Sequence, residues 1–452
     1  MTHPGIEIPT AMPPDSGFLP LEKFNESYLR AARQPFHVAV ERPDGVAVCH
    51  TFVHGTSDRY DADVFHVRQA VKTLLWSKGG FRVYLSGDEA ICRAVTALFA
   101  SGGDCAFDAD FMADVYRRPF AVLRVGRVPE PWDSPRHLGG HTDGCRIGFD
   151  AGGSDRKAAA LRDGQVVYSE EIPWTPKAAA DPAYHYAGIV AGLRAAAAHL
   201  PGVDAVGIST AGICSGDRLL RSALFEAVPR ENFDPDIYRR AVRDVFGPVP
   251  CAVVNDGDVS ALAGSALLGE TDVLGIAMGT SLAAGYVDSA GRITGWLNEL
   301  AFVPIDASPN APVDPWSGDR GCGVSYLSQE AVCRLARQLG IPLYDALSPA
   351  EKLRAVQLLA ERNDSRALAV FDNVGMYLAH ALALYRELYP FRHVLLLGRV
   401  VSGVGGERIL ARCRAVLERE YPDLVKSFFL HLPREEQRRT EQAAAASALP
   451  QK

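Results

Sequence analysis

The sequence has no CxxC pair. Its nine cysteines, at 49, 92, 105, 145, 214, 251, 322, 333 and 413, are odd in number and scattered over 452 residues. That spacing excludes a disulfide framework and predicts buried or free thiols in a reducing compartment. Positive charge is not in excess: Lys plus Arg number 47 against 54 Asp plus Glu, a formal charge of −7. A nucleic-acid binder would need a basic face to neutralise phosphates, so no nucleic-acid partner is expected. Apolar stretches such as VLGIAM and VLLLG fall far short of a membrane span, so no membrane partner is expected either. The start, MTHPGIEIPTAMPPDSGF, has no basic region followed by an apolar one, which reads against a secretory signal and for the cytosol. His54, His66, His141 and His185 show no HExxH or HxH spacing and read as surface or core residues. What is present is 48% apolar residues, enough to build cores. At roughly 150 residues per domain, the length predicts about three domains.

The pattern along the chain is α/β. Residues 1–34 are Pro-rich and polar, with one amphipathic run from Leu21 to Ala32, and read as an arm. FHVAVE and VAVCHTFV are period-two strands joined at Asp44-Gly45, followed by a helix over 62–77, the strand FRVYLSG and a helix over 89–100. The Pro, Gly and Ser density of 128–144 predicts a linker. RIGFDAGG (146–153) then runs into a Gly-rich turn, and two further strands flank Asp163-Gly164. An Ala-rich helix over 183–199 and the strand AVGISTAG (205–212) follow. Hairpin, helix and strand recur in the order seen at 36–87, which is either an internal duplication of topology or the ordinary recurrence of α/β units. PCAVVNDGD leads into a helix from Val259 to Leu268, and VLGIAMGTSLAAGYVD forms strand, turn and strand. Helices over 324–339, 349–361 and 365–388 precede the strand HVLLLG and a closing helix. Strands ending in Gly or Asp turns place a ligand at strand ends. The expected division is an N-terminal α/β domain over 1–140 and two lobes over 141–270 and 271–452.

Three motifs carry chemistry. In DAGGSDRK (150–157), a carboxylate at a strand end precedes two glycines and a hydroxyl. Backbone N–H groups there can approach a phosphate, while Asp150 can hold Mg²⁺ directly or through water. The alternative is a plain Gly-Gly hairpin turn. In NDGD (255–258), Asp256 sits where a strand meets a helix N-terminus, a place that favours an ionised carboxylate able to accept a hydroxyl proton. The alternative for Asp256 and Asp258 is helix capping. MGTSLAAG brings a second small-residue hairpin, Gly279, Thr280 and Ser281, and LLLGRVVSGVGGERIL brings Gly398, Gly403 and Gly405 to a turn before a helix.

Taken in order and spacing, these motifs resemble the sugar kinase, heat-shock ATPase and actin superfamily, and within it the ROK family of sugar kinases and regulators. The resemblance covers about 146–450, including the small-residue ending EQAAAASALP. It implies a two-lobed actin-like ATPase (ribonuclease H-like) fold carrying an extra N-terminal domain. It assigns ATP phosphates to Gly152, Gly153, Ser154, Lys157, Gly279, Thr280 and Ser281, with Gly398, Gly403 and Gly405 as a further nucleotide seat. Asp256 becomes the base, Asp150 the Mg²⁺ residue, and Asn255, Glu299, Gln329 and Glu330 the sugar contacts. Two departures stand out. The family's Glu-x-Gly-His aligns with NELAF, keeping Glu299 but putting Phe302 at the His. Its zinc motif CxCGxxGCxE aligns with RGCGVSYLSQE, where Cys322 and Gly323 remain and Arg320, Leu327 and Gln329 stand at the other ligand and Glu positions. One cysteine cannot build a four-ligand site, so zinc is not expected, and the Pro-rich loop ASPNAPVDPWSGDRG is expected to brace the region.

These readings predict an ATP- and Mg²⁺-dependent kinase acting on a hydroxyl of a sugar or polyol. The competing expectation is a catalytically inactive sugar- or nucleotide-binding regulatory protein of the same fold. An actin-like or chaperone ATPase fits less well, because no large peptide-binding or filament-forming segment is evident. The N-terminal segment reads as a packing or homo-oligomer-forming domain. The alternative is a lid, with Asp108, Asp110, Arg117 and Arg118 of CAFDADFMADVYRRPF reaching a substrate.

Overall fold

The computed structural model describes residue 15 and residues 17–136, 138–433 and 441–451; residues 1–14 and 16 of the expected arm lie outside them. The chain divides into two units. The first comprises Met1–Ser134, Ile276–Ala283 and Trp296–Leu432, and the second Pro135–Gly275, Ala284–Gly295 and Pro433–Lys452.

The amphipathic run forms α1 (Leu21–Leu29), which buries Leu21, Phe24 and Tyr28. β1 (Gln34–Arg42) and β2 (Gly45–Val53) pair antiparallel through Arg42 and Gly45. α2 (Tyr60–Lys78) leads to β3 (Arg82–Ser86), antiparallel to β1. α3 (Glu89–Leu98) starts where the Asp88 side chain accepts from the Ala90 and Ile91 N–H groups, satisfying two donors a helix start leaves open. α4 (Ala106–Tyr116) occupies a stretch the sequence reading left without structure, because its aspartates mask the spacing of Phe107, Phe111 and Val115. β4 (Ala121–Arg124) and β5 (Trp132–Asp133) complete a sheet of order β4-β3-β1-β2-β5, so the expected linker contributes an edge strand.

In the second unit β6 (Cys145–Ala151), β7 (Asp155–Arg162) and β8 (Gln165–Pro173) form an antiparallel meander. α5 (Pro182–Ala197) crosses to β9 (Ala205–Thr210), parallel to β6. A small hairpin, β10 (Ile213–Ser215) and β11 (Arg218–Arg221), and α6 (Ile237–Phe246) precede β12 (Cys251–Asn255), parallel to β9, and α7 (Asp256–Leu268). The sheet order is β12-β9-β6-β7-β8. Its core includes Ile147, Phe149, Ile189, Leu193, Val206, Ile208 and Val253.

The duplication suggested by element order does not extend to pairing. β9 runs parallel to β6, whereas β3 runs antiparallel to β1. The reason is parity: two strands precede the crossover helix in the N-terminal segment and three precede it in the later one, so the returning strand points oppositely.

β13 (Val273–Met278) and β14 (Leu282–Val287) flank the Gly279-Thr280-Ser281 turn. The helices α8 (Gln329–Gln338), α9 (Pro349–Glu361) and α10 (Ser365–Arg386) follow, then β15 (His393–Leu397), α11 (Gly403–Glu420), β16 (Phe429–His431) and α12 (Glu441–Ser447). These last strands form a four-stranded sheet of order β14-β13-β15-β16. Among the described residues α10 alone is long and apolar enough to cross a membrane, and 89% of its apolar window is buried inside the protein. It packs on α11 as a core helix.

The small-residue ending works by close approach. α12 lies across β6 and β9, where Gly148 and Gly207 are register partners. A Cβ at either would overlap the carbonyl oxygen of Ala443 or Ala446.

Candidate active-site residues

The second unit gathers Asp150, the Gly-Gly hairpin and the Asn-Asp pair. Asp150 closes β6, opposite Lys157 on β7 and Ser209 on β9. It is 3% exposed, accepts a 2.7 Å hydrogen bond from the Ser209 hydroxyl and lies 3.5 Å from the Lys157 ammonium. Burial pushes its pKa up, against the opposing pull of Lys157 and Ser209. Lys157 also pairs with Asp155 at 2.8 Å, and its pKa is raised: burial disfavours the charge, but Asp150 and Asp155 outweigh it.

The hairpin tip is tight. The Gly152 N–H donates to the Asp155 carbonyl at 3.1 Å, the Trp174 indole donates to the Gly152 carbonyl at 2.8 Å, and the Trp174 N–H donates to the Ser154 carbonyl at 3.1 Å. A Cβ at Gly152 would stand 2.9 Å from the Asp155 carbonyl oxygen, too close for any other residue, whereas Gly153 faces open space with Lys177 at 3.8 Å. Ser154 donates to the Asp155 carboxylate at 2.9 Å. The clamp from Trp174 and the support from Ser209 were not read from the sequence; their signal was only their position at strand ends.

Asn255 caps α7. Its Oδ1 accepts from the Gly257 N–H at 2.7 Å, and its amide donates to the Gly212 carbonyl at 2.8 Å. Asp256 opens the helix, where its own carboxylate accepts from Gly257 N–H at 3.0 Å. The residue lies in a recess, enclosed by protein yet partly open to solvent. Burial first, then the negative charge of Asp150, push its pKa up to about 7, against the pull of the helix N–H donors. The Cys214 thiol is pushed far up by burial, with Asp256, Asp258 and Asp217 adding to it, so it is inert as a nucleophile. Next to the recess α7 lies close to β14: a Cβ on Gly257 would overlap the Ala284 carbonyl, and one on Gly285 the Gly257 carbonyl.

The first unit gathers the remaining predicted residues. The Gly279 N–H donates to the Ser281 carbonyl at 2.9 Å, and the Gly279 carbonyl accepts from the Gln329 N–H at 2.9 Å. Gly398, at φ 95°, lies against the Met278 backbone, so the 398 turn adjoins the Gly-Thr-Ser hairpin. Gly403 is open, while Gly405 faces the Phe371 ring of α10 and permits helix packing. Gln329 is 2% exposed, and its Oε1 has no hydrogen-bond partner among the described residues. Glu330, on the first turn of α8, is exposed; partial burial first and then Asp314 raise its pKa.

Glu299 is held by α2. Its N–H donates to the Trp76 carbonyl at 2.9 Å, the Asn298 N–H to Ser77 at 2.9 Å and the Leu297 N–H to Lys78 at 3.3 Å. These are last-turn carbonyls of a helix, which lack intrahelical partners. Asn298, at φ 55°, makes the turn and accepts from the Tyr389 hydroxyl at 3.0 Å. Phe302 packs 4.7 Å from the Trp76 ring and 4.8 Å from the Trp316 ring.

Asp108, which the lid alternative would have reach a substrate, does not. It is fully buried, ion-paired with Lys72 and hydrogen-bonded by the Trp76 indole at 2.7 Å, because α4 turns it inward. Asp110, Arg117 and Arg118 are exposed. Cys322 is buried beside Pro304, and among the described residues no cluster of three or more His, Cys, Asp or Glu could hold a metal.

An antiparallel meander extended by parallel strands, with carboxylates at the ends of β6 and β12 and a second α/β unit bearing a Gly-Thr-Ser hairpin, defines the actin-like, ribonuclease H-like ATPase fold. The chain belongs to the ROK family, which residues 146–424 match. About 145 residues precede the matched domain. No curated protein matches the chain. Among solved structures it is similar to the ROK hexokinase from Thermus thermophilus, at 20% identity over 67% of this chain and 97% of that one, with a TM-score of 0.52. It is similar also to a ROK family transcriptional regulator described as a homologue of the E. coli Mlc protein (18%, 79% and 87%, TM-score 0.55). A third is a ROK family protein from Streptococcus pneumoniae in complex with sucrose (12%, 67% and 96%, TM-score 0.51). At these identities the likeness shows the fold. The family thus holds both sugar kinases and transcriptional regulators.

Proposed function

We propose that the protein is an ATP-dependent kinase that phosphorylates a hydroxyl of a sugar or sugar-like polyol in the cytosol. One observation carries this reading: Asp256, recessed at a strand end beside Asp150, has a pKa pushed up to about 7, which suits a base working near neutral pH. In the reaction the acceptor hydroxyl attacks the γ-phosphorus of ATP in line. The new O–P bond forms as the bond from the γ-phosphorus to the β,γ-bridging oxygen breaks, the hydroxyl proton passes to Asp256, and ADP leaves. Gly152, Gly153 and Ser154, and separately Gly279, Thr280 and Ser281, supply the small-residue turns that suit polyphosphate.

Asp150 fits Mg²⁺. This ion keeps several waters and is held by one or two carboxylates plus substrate phosphates, so the single buried carboxylate of Asp150 is a suitable protein ligand. Bound there, Mg²⁺ would offset phosphate charge. Asn255, Glu299 and Glu330 would orient the acceptor, and the unpartnered Oε1 of Gln329 is an acceptor that a substrate hydroxyl would satisfy.

The reading is tested by ATP turnover, followed by ADP release, against hexoses, amino sugars and polyols. Turnover with at least one acceptor is expected, and ATP-independent binding alone would refute it. A second reading, a sugar- or nucleotide-binding regulator without catalysis, is favoured by one observation. Phe302, at the place of the family's His, is committed to an aromatic stack and cannot hydrogen-bond a hydroxyl.

A further inference from the structure

The N-terminal segment and the Glu299 loop lie in one unit, and three kinds of contact join them. Backbone hydrogen bonds run from residues 297–299 to the last carbonyls of α2. Aromatic rings continue the seam: Trp76 of α2 lies 5.0 Å from Phe111 of α4 and 4.7 Å from Phe302, and Trp316 meets Phe107 at 4.7 Å and Phe302 at 4.8 Å. The third contact is ionic. Lys72 of α2 is 3% exposed and pairs with Asp108 of α4 and, at 2.6 Å, with Asp319 of the 312–320 loop. Burial disfavours its charge, but the two carboxylates outweigh that and hold it protonated. Such a triad fixes geometry, because removing Lys72 would leave the buried Asp108 without its cation.

We propose that Trp76 is a positioning residue: through its carbonyl and its ring, helix α2 holds Glu299 in the orientation that binds the acceptor. The N-terminal segment is then a specificity element of the catalytic domain and not an independent module. Glu299 sits on a turn that begins with a left-handed residue, Asn298, and no helix or strand spans 296–302. The backbone partners from α2 therefore set where its side chain starts. A displacement of about 1 Å there would lower acceptor kcat/KM by up to about a hundredfold while leaving nucleotide binding alone.

The acceptor-binding part of this inference rests on the kinase reading; the ordering of the loop does not. The test therefore pairs two measurements on the full chain. Amide exchange of peptides covering 296–302 is compared between wild type and Trp76→Ala, and the acceptor and ATP KM values and kcat are measured for Trp76→Ala and Trp76→Phe. Exchange at 297–299 should rise in Trp76→Ala by about tenfold or more, acceptor KM should rise by about tenfold to a hundredfold with ATP KM unchanged, and Trp76→Phe should restore both. Unchanged exchange, or faster exchange with acceptor and ATP constants moving together, would overturn the proposal. A wild type without turnover on any acceptor refutes the kinase reading instead, and the exchange result still decides whether α2 orders the loop. If Trp76→Ala does not fold, Phe302→Leu, which removes one ring from the stack, is read in the same way.

Discussion

At the scale of single residues, Asp256 combines two properties that oppose each other. A base must be ionised to work, yet its recess raises the cost of ionisation. Because its pKa stands at about 7, kcat/KM should fall about tenfold per pH unit below that value. Asp256→Asn should lower kcat by about 10²–10⁴ at pH 8 while leaving acceptor affinity within a few-fold. Stability should move the other way. A carboxyl whose folded pKa lies above its unfolded value contributes stability that is full below the unfolded pKa and is lost as pH rises through about 7. Asp256→Asn removes that loss, so denaturation midpoints should favour the variant more at pH 8 than at pH 5. Equal effects at both pH values would show that the carboxyl is not raised. Asp150→Asn should instead raise the KM for ATP by about tenfold and leave nucleotide-free acceptor binding unchanged, as calorimetry would read. The candidate chemistry of both aspartates was legible in the sequence because each follows an apolar strand and precedes a turn or helix. The role of Asp108 was not, because an aspartate in a polar-looking stretch carries no mark of the buried Lys72 it neutralises.

At the scale of elements, backbone approach decides packing where side chains are small. Gly207 faces the α12 backbone, so Gly207→Ala should destabilise by about 1–3 kcal/mol or more, through overpacking against a carbonyl that cannot yield. Gly202, with nothing within 4 Å and no left-handed backbone, provides the control: Gly202→Ala should be near neutral in the same urea titration. Strands β1, β2, β6, β7, β8, β9 and β12 were readable from alternation and turn residues. Helix α4 and the short strands β5, β10, β11 and β16 were not. A strand of two to four residues carries too little periodicity to stand out, and its existence is settled by the partner it pairs with. Pairing direction was likewise hidden, since the same order of hairpin, helix and strand yields opposite orientations of β3 and β9 when the number of preceding strands differs.

At the scale of the molecule, residues 1–134 share a unit with 296–432. A chain starting at 135 would further expose Phe302 and Tyr389 and leave the N–H groups of 297–299 without their α2 partners. It is expected to aggregate or to lose cooperative unfolding rather than show a simple change in KM, as solubility and thermal denaturation by circular dichroism would reveal; a soluble, cooperatively folded fragment would contradict this. The sequence by itself determined the α/β class, the motif order that places the chain in its family, and the strand-end aspartates, because these depend on local periodicity and on residue types that chemistry requires at fixed spacings. Only the tertiary structure decided which carboxylates are buried together, how β3 and β9 are oriented, and that an N-terminal helix holds the Glu299 loop. Those outcomes depend on contacts between residues from about fifty to more than two hundred positions apart, and no local pattern encodes them.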